Sequence, residues 1–167
     1  RTDFDLKNHM KYSGEDLQYT DPYSGEKNIP HVIEPTFGLS RLVGVLIADA
    51  YREEEVHGKK RVYLKFSPQI APIKIAIFPL QKDEVLQNKA KDIYHTLKKN
   101  VVCEFDDAGN IGKMYRRQDE IGTPLCITVD YDTVKDDTVT VRDRDTMKQE
   151  RVALSSIEKY IMSYLEK

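Results

Sequence analysis

The chain has little cysteine, no long apolar run and almost no net charge. Cys103 and Cys126 are the two cysteines among 167 residues, and they form no CxxC pair. That argues against a disulfide scaffold or a cysteine-ligated metal site. Both lie in apolar stretches, so buried, reduced thiols are expected. The longest apolar runs, such as residues 43–48, fall far short of the roughly 20 residues that cross a bilayer, and the N-terminus is polar. The expectation is a soluble, cytoplasmic chain without membrane contact. A formal net charge of -2 excludes a strongly basic coat for nucleic acid. A local cationic patch balanced by acids elsewhere still permits RNA binding. His9, His31, His57 and His95 show no spacing that would gather a metal ion, and no metal site is expected. The chain opens at Arg1 with no initiator methionine, which leads us to expect a piece of a longer protein.

With 40% hydrophobic and 32% charged residues, the chain can bury a core under a well-solvated surface. Residues 1–30 are polar and punctuated by turns at Ser13-Gly14 and around Asp21-Pro22. Residues 31–33 read as a short strand ending at Pro35. After Gly38, Leu39, Leu42, Val43, Leu46 and Ala50 recur at helical spacing, and this helix is expected to fade through the charged run 52–55 towards Gly58. Residues 61–66 alternate as a half-buried strand. Two prolines, Pro68 and Pro72, then mark a linker, and we place a domain boundary near residue 70. Beyond it, strands at 73–80, 101–105 and 125–130 alternate with helices at 83–100 and 110–121. A hairpin arm at 138–142 and a helix through Ile157, Ile161 and Leu165 complete the chain. The inner stripe of the 83–100 helix is expected to hold Val85, Ala90, Ile93, Tyr94 and Leu97. This pattern predicts a three-layer α/β/α domain with a mixed sheet.

The most specific segment is HVIEPTFGLSR, residues 31–41. On a strand, Glu34 and Thr36 share one side because residues two apart face the same way. A helix beginning near Gly38 puts Arg41 in its first turn, where free backbone N–H groups and a guanidinium suit an anion such as a nucleotide phosphate. Taken singly, Glu34 reads as a surface carboxylate and Arg41 as a cation lying over a helix face. A second group lies at 110–120. On a helix, Lys113, Arg116 or Arg117, and Glu120 form one stripe, while Ile111, Met114 and Ile121 can point inward. Cations there suit phosphates or base edges, and a carboxylate can accept from a cytosine amino group. Tyr131, just after a strand, suits base stacking. Residues 142–145, Arg-Asp-Arg-Asp, read on their own as an alternating surface ladder of charges.

The 31–41 segment resembles motif 3 of class II aminoacyl-tRNA synthetases, and in particular the glycyl-tRNA synthetases. The stretches RTDFDLKNHMKYSGEDL and DPYSGEKNIPHVIEP are similar to the region preceding motif 3 in the archaeal and eukaryotic type. GNIGKMYRRQDEIGTPLCITVDYDT and VTVRDRDTM are similar to that family's anticodon-binding domain. The resemblance implies that residues 1–70 are the end of an antiparallel class II catalytic domain and residues 71–167 the anticodon-binding domain. It implies that Arg41 grips ATP, that Glu34 takes the glycine ammonium, and that Arg1 reaches the adenylate. Thr36 stands where the family usually has serine, keeping the hydroxyl and adding a methyl. ATP and glycine are the implied substrates, with Mg²⁺ bridging phosphates, tRNA(Gly) as partner and a homodimer as the parent form. Lys113, Glu120, Tyr131 and Arg144 are the anticodon contacts that the resemblance implies, and Arg116 and Arg117 join them as candidates from the helix stripe. The family's invariant anticodon bases are two cytosines, and relatives often carry arginine at the position of Lys113. Motifs 1 and 2 are absent from these residues, so the chain alone is expected not to aminoacylate. The other readings are a non-catalytic synthetase-like accessory protein that binds nucleic acid, and an independent anticodon-binding module.

Overall fold

A computed structural model describes residues 1–166. The chain divides into two compact units, Arg1–Leu42 and the remainder from Val43 onward. In the first, α1 (Phe4–Ser13) is closed by Gly14, whose φ of 76° suits a residue without Cβ and whose N–H bonds the Met10 carbonyl. The sequence did not foretell α1, because the helix buries no residue and carries little apolar period. A two-residue ladder follows between β1 (Tyr19–Thr20) and β2 (Lys27–Asn28). The strand expected at 31–33 does not form. Val32 donates its N–H to the Thr2 carbonyl at 2.8 Å, and residues 29–38 join no sheet, so the extended segment has no ladder.

Helix α2 (Leu39–Ala50) passes without a loop into β3 (Tyr51–Val56). The charged run 52–55 therefore belongs to a strand, which corrects the expected helix tail. Four consecutive charges offer no helical apolar stripe. Paired antiparallel with β4 (Lys59–Leu64), they find cross-strand partners instead: Lys60 meets Glu53 at 2.8 Å and Arg61 meets Glu54 at 2.5 Å. His57 and Gly58 turn the hairpin with φ of 50° and 72°, the paired positive values of a type I′ turn.

The rest of the chain runs β5 (Ile75–Pro79), α3 (Glu84–Leu97), β6 (Cys103–Phe105), α4 (Ile111–Ile121), β7 (Leu125–Val129), α5 (Tyr131–Asp136), β8 (Thr138–Asp143), β9 (Gln149–Ala153), a 3₁₀ turn (Leu154–Ser156) and α6 (Ile157–Leu165). The sheet order is β6-β5-β7-β8-β9, the first three strands parallel and the last two antiparallel. Strand alternation sorts its residues to two faces. Ile75, Ile77, Leu125, Ile127 and Val141 pack with Ala90 and Leu97 of α3 and Ile161 of α6. Ala76, Phe78 and Cys126 pack with Met114 of α4 on the other side. This is the expected three-layer mixed sheet. Two inward assignments change. Val85 is exposed and Leu86 is buried in its place, and Ile121 is exposed while Gln118 and Asp119 turn inward.

A third cluster, Ala50, Phe66 and Ala71 with Leu46 and Leu64, crosses the linker at 67–72. Lys65 also donates to the Ala50 carbonyl at 2.7 Å. The second compact unit starts at Val43 and includes this linker.

Candidate nucleic-acid interface

Helix α4 starts where Asn110 accepts the Lys113 N–H on its side-chain oxygen at 3.0 Å and stops at Gly122, whose φ is 84°. With Met114, Gln118 and Asp119 inward, the exposed stripe carries Lys113, Arg116, Arg117 and Glu120. The side chains of Lys113, Arg116 and Glu120 make no hydrogen bond or ion pair among the described residues, so their charges face solvent. Arg117 differs. It donates to the Asp106 carboxylate from Nε at 2.9 Å and from Nη2 at 2.5 Å, and to the Ala108 carbonyl at 2.6 Å, fixing the loop that leads into α4.

Tyr131 is about half exposed at the start of α5. Its backbone is fixed by a reciprocal cap in which Asp130 accepts from the Thr133 N–H and Thr133 accepts from the Asp130 N–H. A flat ring on a rigid turn is a usable stacking surface. Burial pushes the Asp130 carboxyl up, but the Thr133 N–H and Arg151 outweigh it and hold it below the usual aspartate value.

Arg144 does not stand at this surface. It is 1% exposed, with Nη1 on the Gly122 carbonyl and Nη2 on the Phe66 carbonyl, both at 2.8 Å, and Nε on Asp145 at 2.7 Å. Arg142 is buried too, forming a two-pronged pair with Asp119 and lying 4.6 Å from the centre of the Tyr115 ring. Residues 142–145 are thus no surface ladder. Arg142 lies on β8 and Arg144 in the turn just past its end, and residues of α4, its Gly122 cap and the hairpin segment cover both.

A cation that sequence reasoning missed is Arg151. It sits on β9 opposite Thr140, with its side chain 36% exposed. It donates to Asp130 at 2.5 Å, to Thr138 Oγ1 at 2.6 Å and to Thr140 Oγ1 at 3.1 Å. Residues 149–153, QERVA, hold a single β-branched residue, so no alternation betrayed the strand.

In the first unit, Thr36 Oγ1 donates to Glu34 Oε1 at 3.0 Å, so this pair shares a side as the spacing requires. Arg1 donates to Asp5 from Nε at 2.5 Å and Nη2 at 2.7 Å. The Asp5 bond raises the guanidinium and lowers the carboxyl, and the charge of Glu34 raises Arg1 further. Arg41 is exposed in the first turn of α2. Large apolar side chains around these residues are also uncovered: Ile33 is 94%, Phe37 84% and Leu39 73% exposed. Among the described residues, no three His, Cys, Asp or Glu side chains gather to hold a metal ion, and no helix is long and apolar enough to cross a membrane.

Residues 74–164 match the family model described as the anticodon binding domain. Three relatives, each named glycine–tRNA ligase, align over nearly the whole chain. The one from Caldanaerobacter subterraneus subsp. tengcongensis is 52% identical over 166 residues, covering 99% of this chain and 36% of its own length. That from Clostridium acetobutylicum is 54% identical over 162 residues, covering 96% and 35%. That from Streptomyces coelicolor is 51% identical over 170 residues, covering 99% and 37%. The chain therefore spans little more than a third of these relatives. They are bacterial, and they lend no support to an archaeal or eukaryotic type. Because the family match extends from just before β5 to the last turn of α6, more than half of the sequence, the chain belongs to the anticodon binding domain family.

Proposed function

We propose that this chain is the tRNA-reading end of a glycine–tRNA ligase, together with one wall of its glycine and ATP site. The observation that carries the reading is the exposed stripe of α4. Lys113, Arg116 and Glu120 lie exposed, without an ion pair among the described residues, on one face of a domain whose family is described by anticodon binding. Cationic donors suit phosphates and base edges, and the Glu120 carboxylate suits the amino group of cytosine. Tyr131 offers a stacking ring, and Arg151, held by Asp130, adds a further cation on the sheet. Arg117 shapes the loop before α4, and Arg144 supports the surface from inside. Replacing Glu120 by alanine should weaken binding of an anticodon stem-loop bearing cytosines by about tenfold, the scale of one lost base contact. Wild-type affinity in that variant, measured by fluorescence anisotropy, would sink the assignment.

In the same proposal residues 1–70 belong to a class II catalytic domain. Glu34, hydrogen-bonded by Thr36, takes the glycine ammonium, Arg41 holds ATP phosphates, and Arg1 reaches the adenylate. The uncovered Ile33, Phe37 and Leu39 suit a segment that forms part of a larger domain. Among the described residues no three His, Cys, Asp or Glu side chains gather for a metal ion. Mg²⁺ would be carried by nucleotide phosphates and by groups elsewhere. Homodimerisation and a cytoplasmic location belong to the proposed parent enzyme. Retention of Glu34 and Arg41 favours this over a non-catalytic accessory protein, which needs neither. The 167-residue chain should show no glycine-dependent pyrophosphate exchange, and a measurable rate would contradict its reading as a partial active site.

A further inference from the structure

The exposed stripe of α4 is anchored from its buried side by one carboxylate. Asp119 is 3% exposed. Its two oxygens accept from Arg142 Nη1 at 2.9 Å and Nη2 at 3.1 Å, and Arg61 Nε donates to Oδ2 at 2.9 Å. Arg61 also reaches Glu54 at 2.5 Å and the Arg144 carbonyl at 2.6 Å, and lies 4.3 Å from the centre of the Tyr63 ring. Hairpin strand β4, helix α4 and strand β8 thus converge on Asp119. Such a buried ion group adds little net stability, because desolvation offsets the attraction, but its bidentate geometry tolerates few arrangements.

Asp119 immediately precedes Glu120 and follows Arg116 by three residues, so it fixes the rotation of α4 where the stripe lies. Side-chain ends stand about 5–6 Å from a helix axis, and a rotation of about 15° moves them by roughly 1.5 Å. A displacement of that size breaks a hydrogen bond to a base edge but hardly changes attraction to phosphates across a Debye length of about 10 Å.

We propose that Asp119 is the positioning residue of the RNA-facing stripe, setting base discrimination through Arg142 and Arg61 without touching RNA. This rests on the reading of α4 as the anticodon face. The test uses the whole chain and two anticodon stem-loops that differ by one cytosine-to-uracil change, titrated over a salt series. Asp119→Asn keeps the side-chain size and removes the charge. It should bind both RNAs with the wild-type salt slope while its preference for cytosine falls about tenfold. Circular dichroism checks that the variant is folded. If it is not, Arg61→Gln, which leaves the Arg142–Asp119 pair intact, should lose discrimination by about threefold. A folded variant that discriminates like wild type overturns the role of Asp119 and leaves the anticodon reading standing. A wild-type chain with no preference overturns both.

Discussion

Arg144 carries a positive charge into the interior and spends it on main-chain oxygens. Truncating it to alanine would strand the carbonyls of Gly122 and Phe66 and leave Asp145 without its pair. We expect a loss of about 3 kcal/mol in urea unfolding. An anticodon contact at the surface would instead predict unchanged stability with weakened RNA binding. Spacing alone could not separate these outcomes. Arg142 is on β8 and Arg144 just past its end, and whether such positions face solvent or interior depends on α4 and the hairpin, which arrive from distant sequence. The stripe Lys113, Arg116 and Glu120 was legible because a helix shows its exposed face locally, through the apolar residues between. The Glu34–Thr36 pairing was legible for the same kind of reason, since two residues on one side of an extended segment meet whatever surrounds them.

At the scale of elements, the joint between the hairpin and α4 is packed too closely for a side chain at Gly122. A Cβ there would lie 2.5 Å from Phe66 Cδ2 and 2.9 Å from the Leu64 carbonyl, at a φ of 84°. Gly122→Ala should therefore destabilise the domain by about 2 kcal/mol, read as a shift of the thermal midpoint. Gly58 is the internal comparison, since a Cβ there meets nothing within 4 Å and only its φ of 72° opposes substitution. Alanine at Gly58 should cost less than at Gly122. β5, β7, α3 and α4 could be read from the sequence because apolar runs or an apolar stripe mark them. β3 and β9 could not. The first consists largely of charges that become a strand through cross-strand partners, and the second is an edge strand with one β-branched residue. Burial of Leu86 in place of Val85 is a phase error of one position, set by the Asp83 cap that starts α3.

For the whole molecule, acid stability follows from carboxylates held low despite burial. Asp143 is pushed up by burial, but Tyr164 and the Thr146 N–H and hydroxyl bring it below its ordinary 3.8, and Asp130 is likewise lowered. A depressed carboxyl stabilises the fold fully above its unfolded value. That contribution is lost as pH falls through the folded value. The urea midpoint should thus be steady down to about pH 5 and decline below about pH 4. Asp143→Asn should flatten part of the decline. The two compact units have different standing: from Val43 onward there is a layered core, whereas Arg1–Leu42 leaves large apolar side chains open. The central claim concerns the layered unit, and binding of the whole chain to an anticodon stem-loop tests it most directly. Titrated at moderate salt, the chain should prefer a loop with two cytosines over one with both changed to uracil by about a hundredfold, since each mismatch costs roughly 1–3 kcal/mol. Equal affinity for the two loops would contradict the account.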